Sequence, residues 1–255
     1  MSNVNFNYIC YTNSILRGAK EYLSMIVAVF HGSPRKGNTY SAAKIFIDEM
    51  SKSGDVDFIE FYMPKDLPVF CTGCTLCLSG LREKCPNEKY VTPIFEAIIK
   101  ADALVFSTPH YGACSMPGSM KTLLDHLDFL VLNASPRDEI FSKKAFILTT
   151  GAGTAAAVKP IKKLLLHWGV NRVYSYSIRL LSDKWDSMPK AKQAKHERAL
   201  RRSANKFCCA KIGRPSPSTV FFYHMSKFIL RRYVGEGNAP YDLWKERGYF
   251  NKRPF

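Results

Sequence analysis

The sequence predicts a doubly wound α/β fold, a five-stranded parallel sheet with helices on both faces, and three observations point to it. Apolar runs of strand length alternate with amphipathic runs of helix length from Met25 to Gly213. The clearest strands are continuous apolar runs, as expected for strands buried on both faces. Loops rich in Gly, Pro, Ser and Thr follow several strands, where open α/β sheets bind their ligands.

Taken in order, MIVAVFHG (25–32) is the first strand. Residues 38–54 form a helix opened by the cap-like Asn38 and Thr39, with Ala42, Ala43, Phe46, Ile47 and Met50 on one stripe and a stop at Gly54. VDFIEFYM (56–63) is the second strand, followed by a cysteine-rich loop over 70–87 and a helix over 90–100. ADALVFSTP (101–109) is the third strand, and PGSMKTLLDHLDFLV (117–131) is helical. KKAFILTTG (143–151) is the fourth strand, with a helix over 154–169. VNRVYSYSI (170–178) is the fifth strand, and a long helix over 187–213 closes the domain. Right-handed crossovers connect such strands. The chain contains no internal repeat or low-complexity segment.

The 255 residues suffice for one full-sized domain plus an appendage, and 46% hydrophobic with 23% charged residues is a globular composition. No stretch approaches the roughly 20 apolar residues of a membrane span. Residues 1–24 lack the basic and apolar regions of a signal peptide, and read as a poorly ordered leader or a misassigned start. The expected organisation is a leader (1–24), an α/β domain (25–213) and a helical extension (214–255). A cytoplasmic location is expected.

Charge is uneven. Residues 1–154 hold 15 Lys/Arg and 15 Asp/Glu, whereas residues 155–255 hold 22 against 6, the whole of the +16. The basic third suits an anionic partner: an acidic electron carrier, nucleic acid, a membrane surface or dinucleotide phosphates. A solvated basic face is the plain alternative. No helix-turn-helix or other nucleic-acid motif is present.

The first strand's loop, His31-Gly32-Ser33-Pro34-Arg35-Lys36-Gly37-Asn38-Thr39, runs into a helix N-terminus. Unpaired backbone N–H groups and the positive dipole end suit a phosphate there. Ser33, Asn38 and Thr39 add donors, and Arg35 adds a charged planar fork. Neither GxxxxGK[ST] nor GxGxxG is present, so a lone phosphate, as in a mononucleotide, fits better than a dinucleotide.

G-S-P-R-x-G-N-T after the first strand resembles the phosphate loop of the NADPH-dependent FMN reductase superfamily, which is flavodoxin-like in fold. Ser107-Thr108-Pro109-His110-Tyr111-Gly112 resembles its S-P-x-Y motif, which cups the isoalloxazine ring. Met116-Pro117-Gly118, Lys121 and Asp125 resemble the helix start that follows, and Thr149-Thr150-Gly151-Ala152-Gly153-Thr154 its glycine-rich flavin segment. The resemblance covers about residues 25 to 180. It implies FMN held by Ser33, Arg35, Asn38 and Thr39 at the phosphate, and by Pro109, His110, Tyr111, Gly112, Thr150, Gly151, Ala152 and Gly153 at the ring. Glycine lets backbone N–H groups approach the ring edge, and Tyr111 is placed to stack on it or beside it.

Cys71, Cys74, Cys77 and Cys85 form a C-x2-C-x2-C-x7-C run, the last followed by Pro86. Closely spaced thiols of this kind can ligate a cubane iron–sulfur cluster. Structural zinc prefers two separated pairs, and disulfides suit secreted chains. A loop that packs without any metal is the main competing reading. The run resembles the compact motif of the iron–sulfur flavoproteins, a branch of the same superfamily whose cysteines bind [4Fe–4S]. Cys10 lies in the leader, Cys114 lies in the flavin loop, and Cys208 and Cys209 read as small packing residues.

Beyond the breaker Gly213-Arg214-Pro215-Ser216-Pro217, residues 219–234 read as an amphipathic helix with Phe221, Phe222, Met225, Phe228, Ile229 and Tyr233 on its apolar stripe. Such a helix docks on its own domain, on a partner subunit or on a membrane surface. The expectation is an FMN-dependent oxidoreductase that passes electrons between FMN, a [4Fe–4S] cluster and an external carrier such as ferredoxin, in a homo-oligomer (dimer or tetramer). A cluster-free NAD(P)H-dependent FMN or quinone reductase is the alternative. A redox-sensing nucleic-acid or membrane-surface binding protein is the third reading.

Overall fold

A computed structural model describes residues 24–112, 115–132, 134, 137–180 and 184–255 of the chain. Up to residue 23 the expected leader lies outside them, as do Cys10 and Cys114. Strands β1 (Met25–His31), β2 (Val56–Tyr62), β3 (Ala103–Pro109), β4 (Lys144–Thr150) and β5 (Arg172–Ile178) form one sheet in the order β2-β1-β3-β4-β5. Every neighbouring pair is parallel, so the fold is the flavodoxin-like α/β class that the sequence predicts. The order places β1, β3 and β4 inside and β2 and β5 at the edges. Burial follows, with β4 buried along its whole length and β5 exposing Tyr174, Ser175 and Ser177.

Side-chain alternation sorts strand residues between two cores. Val27, Val29, Val105, Phe146 and Leu148 face helices α1 (Asn38–Lys52) and α6 (Lys190–Cys209). Ala28, Phe30, Leu104, Phe106 and Ile147 face α2 (Glu88–Lys100), α3 (Gly118–His126) and α5 (Thr154–Trp168). The α1 stripe holds, with Ala42, Ala43, Phe46 and Met50 fully buried and Ile47 half-buried. A four-residue helix, α4 (Asp138–Phe141), precedes β4.

Two helices are shorter than the sequence suggests. After α3 the ladder tightens, Leu127 N–H donating to Leu124 O at 3.2 Å, and residues Asp128–Leu130 form a 3-10 turn. Helix α6 ends where Lys144 Nζ donates to the carbonyls of Phe207 (2.6 Å), Cys208 (2.9 Å) and Ala210 (3.0 Å). The preceding residue, Lys143, points to the other face and donates to Ile99 O at 2.8 Å and to Ala101 O, at the end of α2. Both ammonium groups are buried, which holds their pKa below the ordinary lysine value.

The extension forms α7 (Pro217–Ile229), a π turn over Leu230–Val234 and α8 (Ala239–Glu246). Tyr223, Leu230, Trp244, Tyr249 and Phe250 make a third core over Leu132 and Phe141. Trp244 Nε1 donates to Leu132 O at 2.7 Å, and the Tyr249 hydroxyl donates to Asp138. Of the expected apolar stripe on α7, Phe222, Met225 and Ile229 are half-buried and Phe221, Phe228 and Tyr233 are exposed, while the fully buried line is Thr219, Tyr223, Ser226 and Leu230. Thr219 and Tyr223 are buried because their hydroxyls find carbonyl acceptors at Val170 and Tyr249.

Candidate active site

The loop after β1 is fixed before it reaches α1. Gly32 N–H donates to Ser107 O at 2.8 Å, and Ser119 Oγ donates to Gly32 O at 2.7 Å. A Cβ on Gly32 would lie 2.6 Å from Met120 Cε, so only glycine lets α3 pack this closely. Ser33 Oγ then donates to Arg35 O at 2.9 Å, tightening the turn. Thr39 is buried, and its Oγ1 lies 2.5 Å from Thr150 Oγ1. The first turn of α1, which opens at Asn38, therefore rests on the ends of β3 and β4. Ser33, Arg35 and Thr39 line one cavity of about 300 Å3 with His31, Tyr40 and Tyr62.

His31, Glu60 and Tyr62 form a cluster for which the sequence offered no role. His31 is 4% exposed, and its Nε2 lies 2.7 Å from Glu60 Oε2. The Tyr62 hydroxyl donates to the same oxygen at 3.0 Å, and its ring stacks on the imidazole with centroids 4.5 Å apart. His31 Nδ1 has no partner among the described residues. Burial pulls the His31 pKa below its ordinary value of 6.5, against the pull of Glu60. Burial and Glu60 push the Tyr62 hydroxyl far above its usual range. The one signal that could have exposed this cluster is parallel register, which sets His31 opposite Tyr62.

The loops after β3 and β4 meet through His110. Its N–H donates to Thr150 O at 2.8 Å, and its Nδ1 accepts from Gly153 N–H at 3.2 Å. A Cβ on Gly153 would lie 2.5 Å from His110 Cε1, and one on Gly151 3.0 Å from His110 O. In this structure the two glycines make room for His110, and Gly151 N–H donates to Ile178 O at 3.0 Å. Pro109 ends β3, Tyr111 is 43% exposed, Gly112 turns the chain at φ 53°, and Ala152 is exposed between the two glycines. The ring and phosphate residues expected from the sequence thus lie at the carboxyl edge of the sheet, on its loops, on the last residues of β3 and β4, or at the start of α1.

Cys71, Cys74, Cys77 and Cys85 carry free thiols and line one small cavity with Arg82, Asn87 and His126. Cys71 and Cys74 are exposed, and the other two are half-buried. Positive φ at Gly73 (66°), Thr75 (58°) and Gly80 (79°) winds the loop around them. Burial pushes the Cys77 thiol pKa up, and nearby Cys71 and Cys85 add to the rise. Among the described residues no three His, Cys, Asp or Glu side chains are arranged to hold a metal ion. Nor is any helix among them long and apolar enough to cross a membrane.

Comparisons with known proteins place the chain in a family. An iron–sulfur flavoprotein of Clostridioides difficile is 29% identical over 160 residues, 61% of this chain and 68% of that one. One from Archaeoglobus fulgidus is 26% identical over 147 residues, 56% of this chain and 68% of that one. A solved NAD(P)H:quinone oxidoreductase from Methanothermobacter marburgensis shares the fold with a TM-score of 0.58, at 16% identity over 72% of this chain and 97% of that one. The sequence profile of the NADPH-dependent FMN reductases matches residues 25–181, from the first strand past the fifth. The chain belongs to the NADPH-dependent FMN reductase family and is an FMN-dependent oxidoreductase.

Proposed function

We propose that the chain passes electrons between FMN at the carboxyl edge of the sheet, a [4Fe–4S] cluster on the cysteine loop and an external carrier or acceptor. The observation that carries this reading is the convergence of four free thiols on one cavity, in a chain whose curated relatives are iron–sulfur flavoproteins. The residues suit both groups. For FMN, an anchored helix start and Arg35 line a cavity, next to a buried His31 nitrogen that has no partner among the described residues. For the cluster, the donor set is all thiol, the set iron–sulfur clusters prefer.

Ser33, Asn38, Thr39 and the N-terminal amides of α1 would hold the FMN phosphate, and Arg35 would neutralise it. Pro109, His110, Tyr111 and Gly112 after β3, with Thr150, Gly151, Ala152 and Gly153 after β4, would line the place of the ring. Tyr111 keeps enough exposed ring to stack. His110 fixes the Gly153 amide, and so sets the shape of the edge that the ring meets. When bound, FMN supplies the hydride and electron chemistry, with NAD(P)H as the donor in the simplest scheme. A homo-oligomer in the cytoplasm, served by an acidic carrier of ferredoxin type, completes the proposal.

One observation favours the cluster-free alternative, a plain NAD(P)H-dependent FMN or quinone reductase: the thiols converge without adopting a coordination geometry. The deciding experiment is anaerobic purification followed by a visible spectrum and assays for iron and acid-labile sulfide. Flavin bands with about four irons per chain establish the cluster. Flavin bands with no iron select the plain reductase, and failure to take up added FMN overturns both.

A further inference from the structure

Helix α7 has two faces, and the protein covers only one of them. Its Thr219, Tyr223, Ser226 and Leu230 line packs on the third core. On the other side Phe221, Phe228 and Tyr233 are 63%, 60% and 72% exposed. The Phe228 and Tyr233 rings lie 6.1 Å apart, and the Arg232 guanidinium sits 5.7 Å from the Tyr233 centroid. Clustered exposed rings of this size mark an interaction surface. Phe221 is shared with an open groove of about 980 Å3 whose rim carries Arg214, Arg253 and the exposed Ile212. Arg214, Arg232 and Arg253 are exposed and form no salt bridge among the described residues.

Charge selects the occupant. Residues 214–255 carry eight Lys/Arg against three Asp/Glu, so a second copy docked here by a two-fold axis would set a positive patch against its own image. An anionic bilayer answers both features at once. Aromatic rings settle at the boundary between headgroups and acyl chains, while arginines with apolar stems reach the phosphates. The geometry points to α7 and its following turn as a membrane-surface anchor, lying in the plane of an anionic bilayer with Phe221, Phe228 and Tyr233 inserted and Arg214, Arg232 and Arg253 on lipid phosphates.

The test is co-sedimentation of the full-length FMN-loaded protein with phosphatidylcholine vesicles, alone or mixed with phosphatidylglycerol. The protein should pellet with the mixed vesicles and be released by salt. The triple variant Phe221→Ser, Phe228→Ser, Tyr233→Ser should lower the partition coefficient roughly tenfold or more. Because these side chains are exposed, its melting temperature and flavin spectrum should match the parent's. Replacing Arg214, Arg232 and Arg253 by Gln should cost roughly fivefold per arginine on anionic vesicles only. Three results overturn the inference. The parent protein stays in the supernatant with both lipids, the aromatic variant pellets like the parent, or light scattering shows a dimer that the aromatic variant converts to monomer. The last would make this face a contact between copies, and binding to an acidic protein without binding to vesicles would reassign it likewise.

Discussion

The loop between β1 and α1 is tied down from outside itself, by Ser107, Ser119 and Thr150, whereas the loop between β2 and α2 is tied mainly to itself. In the cysteine loop Leu78 and Ser79 N–H groups return to Thr75 O, Leu81 N–H returns to Leu76 O, and Asn87 Nδ2 reaches back to Phe70 O. The first loop is a cradle that the polypeptide shapes alone. The second brings four thiols to one cavity without a coordination geometry among the described residues. On the proposed function, FMN binding should survive changes in the cysteine loop, while iron content should be sensitive to each thiol.

The largest expected effect breaks the two loops apart. Cys74→Ser should remove nearly all iron and sulfide from anaerobically purified protein while FMN stoichiometry holds; loss of both together would show the sites to be interdependent. Next, Gly153→Ala puts a methyl group against His110 and should weaken FMN binding roughly tenfold, read by quenching of flavin fluorescence. Adding His110→Ala should recover the unfolding free energy lost to Gly153→Ala but not the FMN affinity, since the clash is with the imidazole that also shapes the ring's edge. Thr39→Val leaves the buried Thr150 hydroxyl without its partner and should cost about 1 kcal/mol of unfolding free energy, with little change in iron content.

The smallest effect concerns pH. His31 in the fold has a pKa below 6.5, so between that lowered value and 6.5 the unfolded chain binds more protons. Stability contributed here is complete above pH 6.5 and falls as pH drops through this window. His31→Asn should flatten the dependence of the urea midpoint on pH over that range. An unchanged slope would mean that another group governs it.

Much of the architecture is legible because the interior strands announce themselves. Runs such as VAVF, ALVF and AFIL are apolar on both sides, and the sheet order places them where both sides are covered. The candidate site is legible where it is local, since each binding loop directly follows its own strand. What joins the loops is not local. The His31–Glu60–Tyr62 cluster depends on parallel register, and the His110–Gly153 contact spans two strands. Which face of α7 the fold covers is not legible for another reason. Hydropathy ranks Phe221 and Phe228 above Thr219, yet the Thr219 side chain is buried, its hydroxyl donating to the Val170 carbonyl.

Lys143 and Lys144 carry a consequence for how the molecule comes apart. Adjacent at the entry to β4, they reach in opposite directions and close the carbonyl ends of α2 and α6, which lie on opposite faces of the sheet. Peeling off either helix would strand a buried cation as well as opening a core. The two outer layers are therefore riveted through a single dipeptide, and hydrogen exchange at the ends of α2 and α6 should report one shared opening event rather than two separate ones.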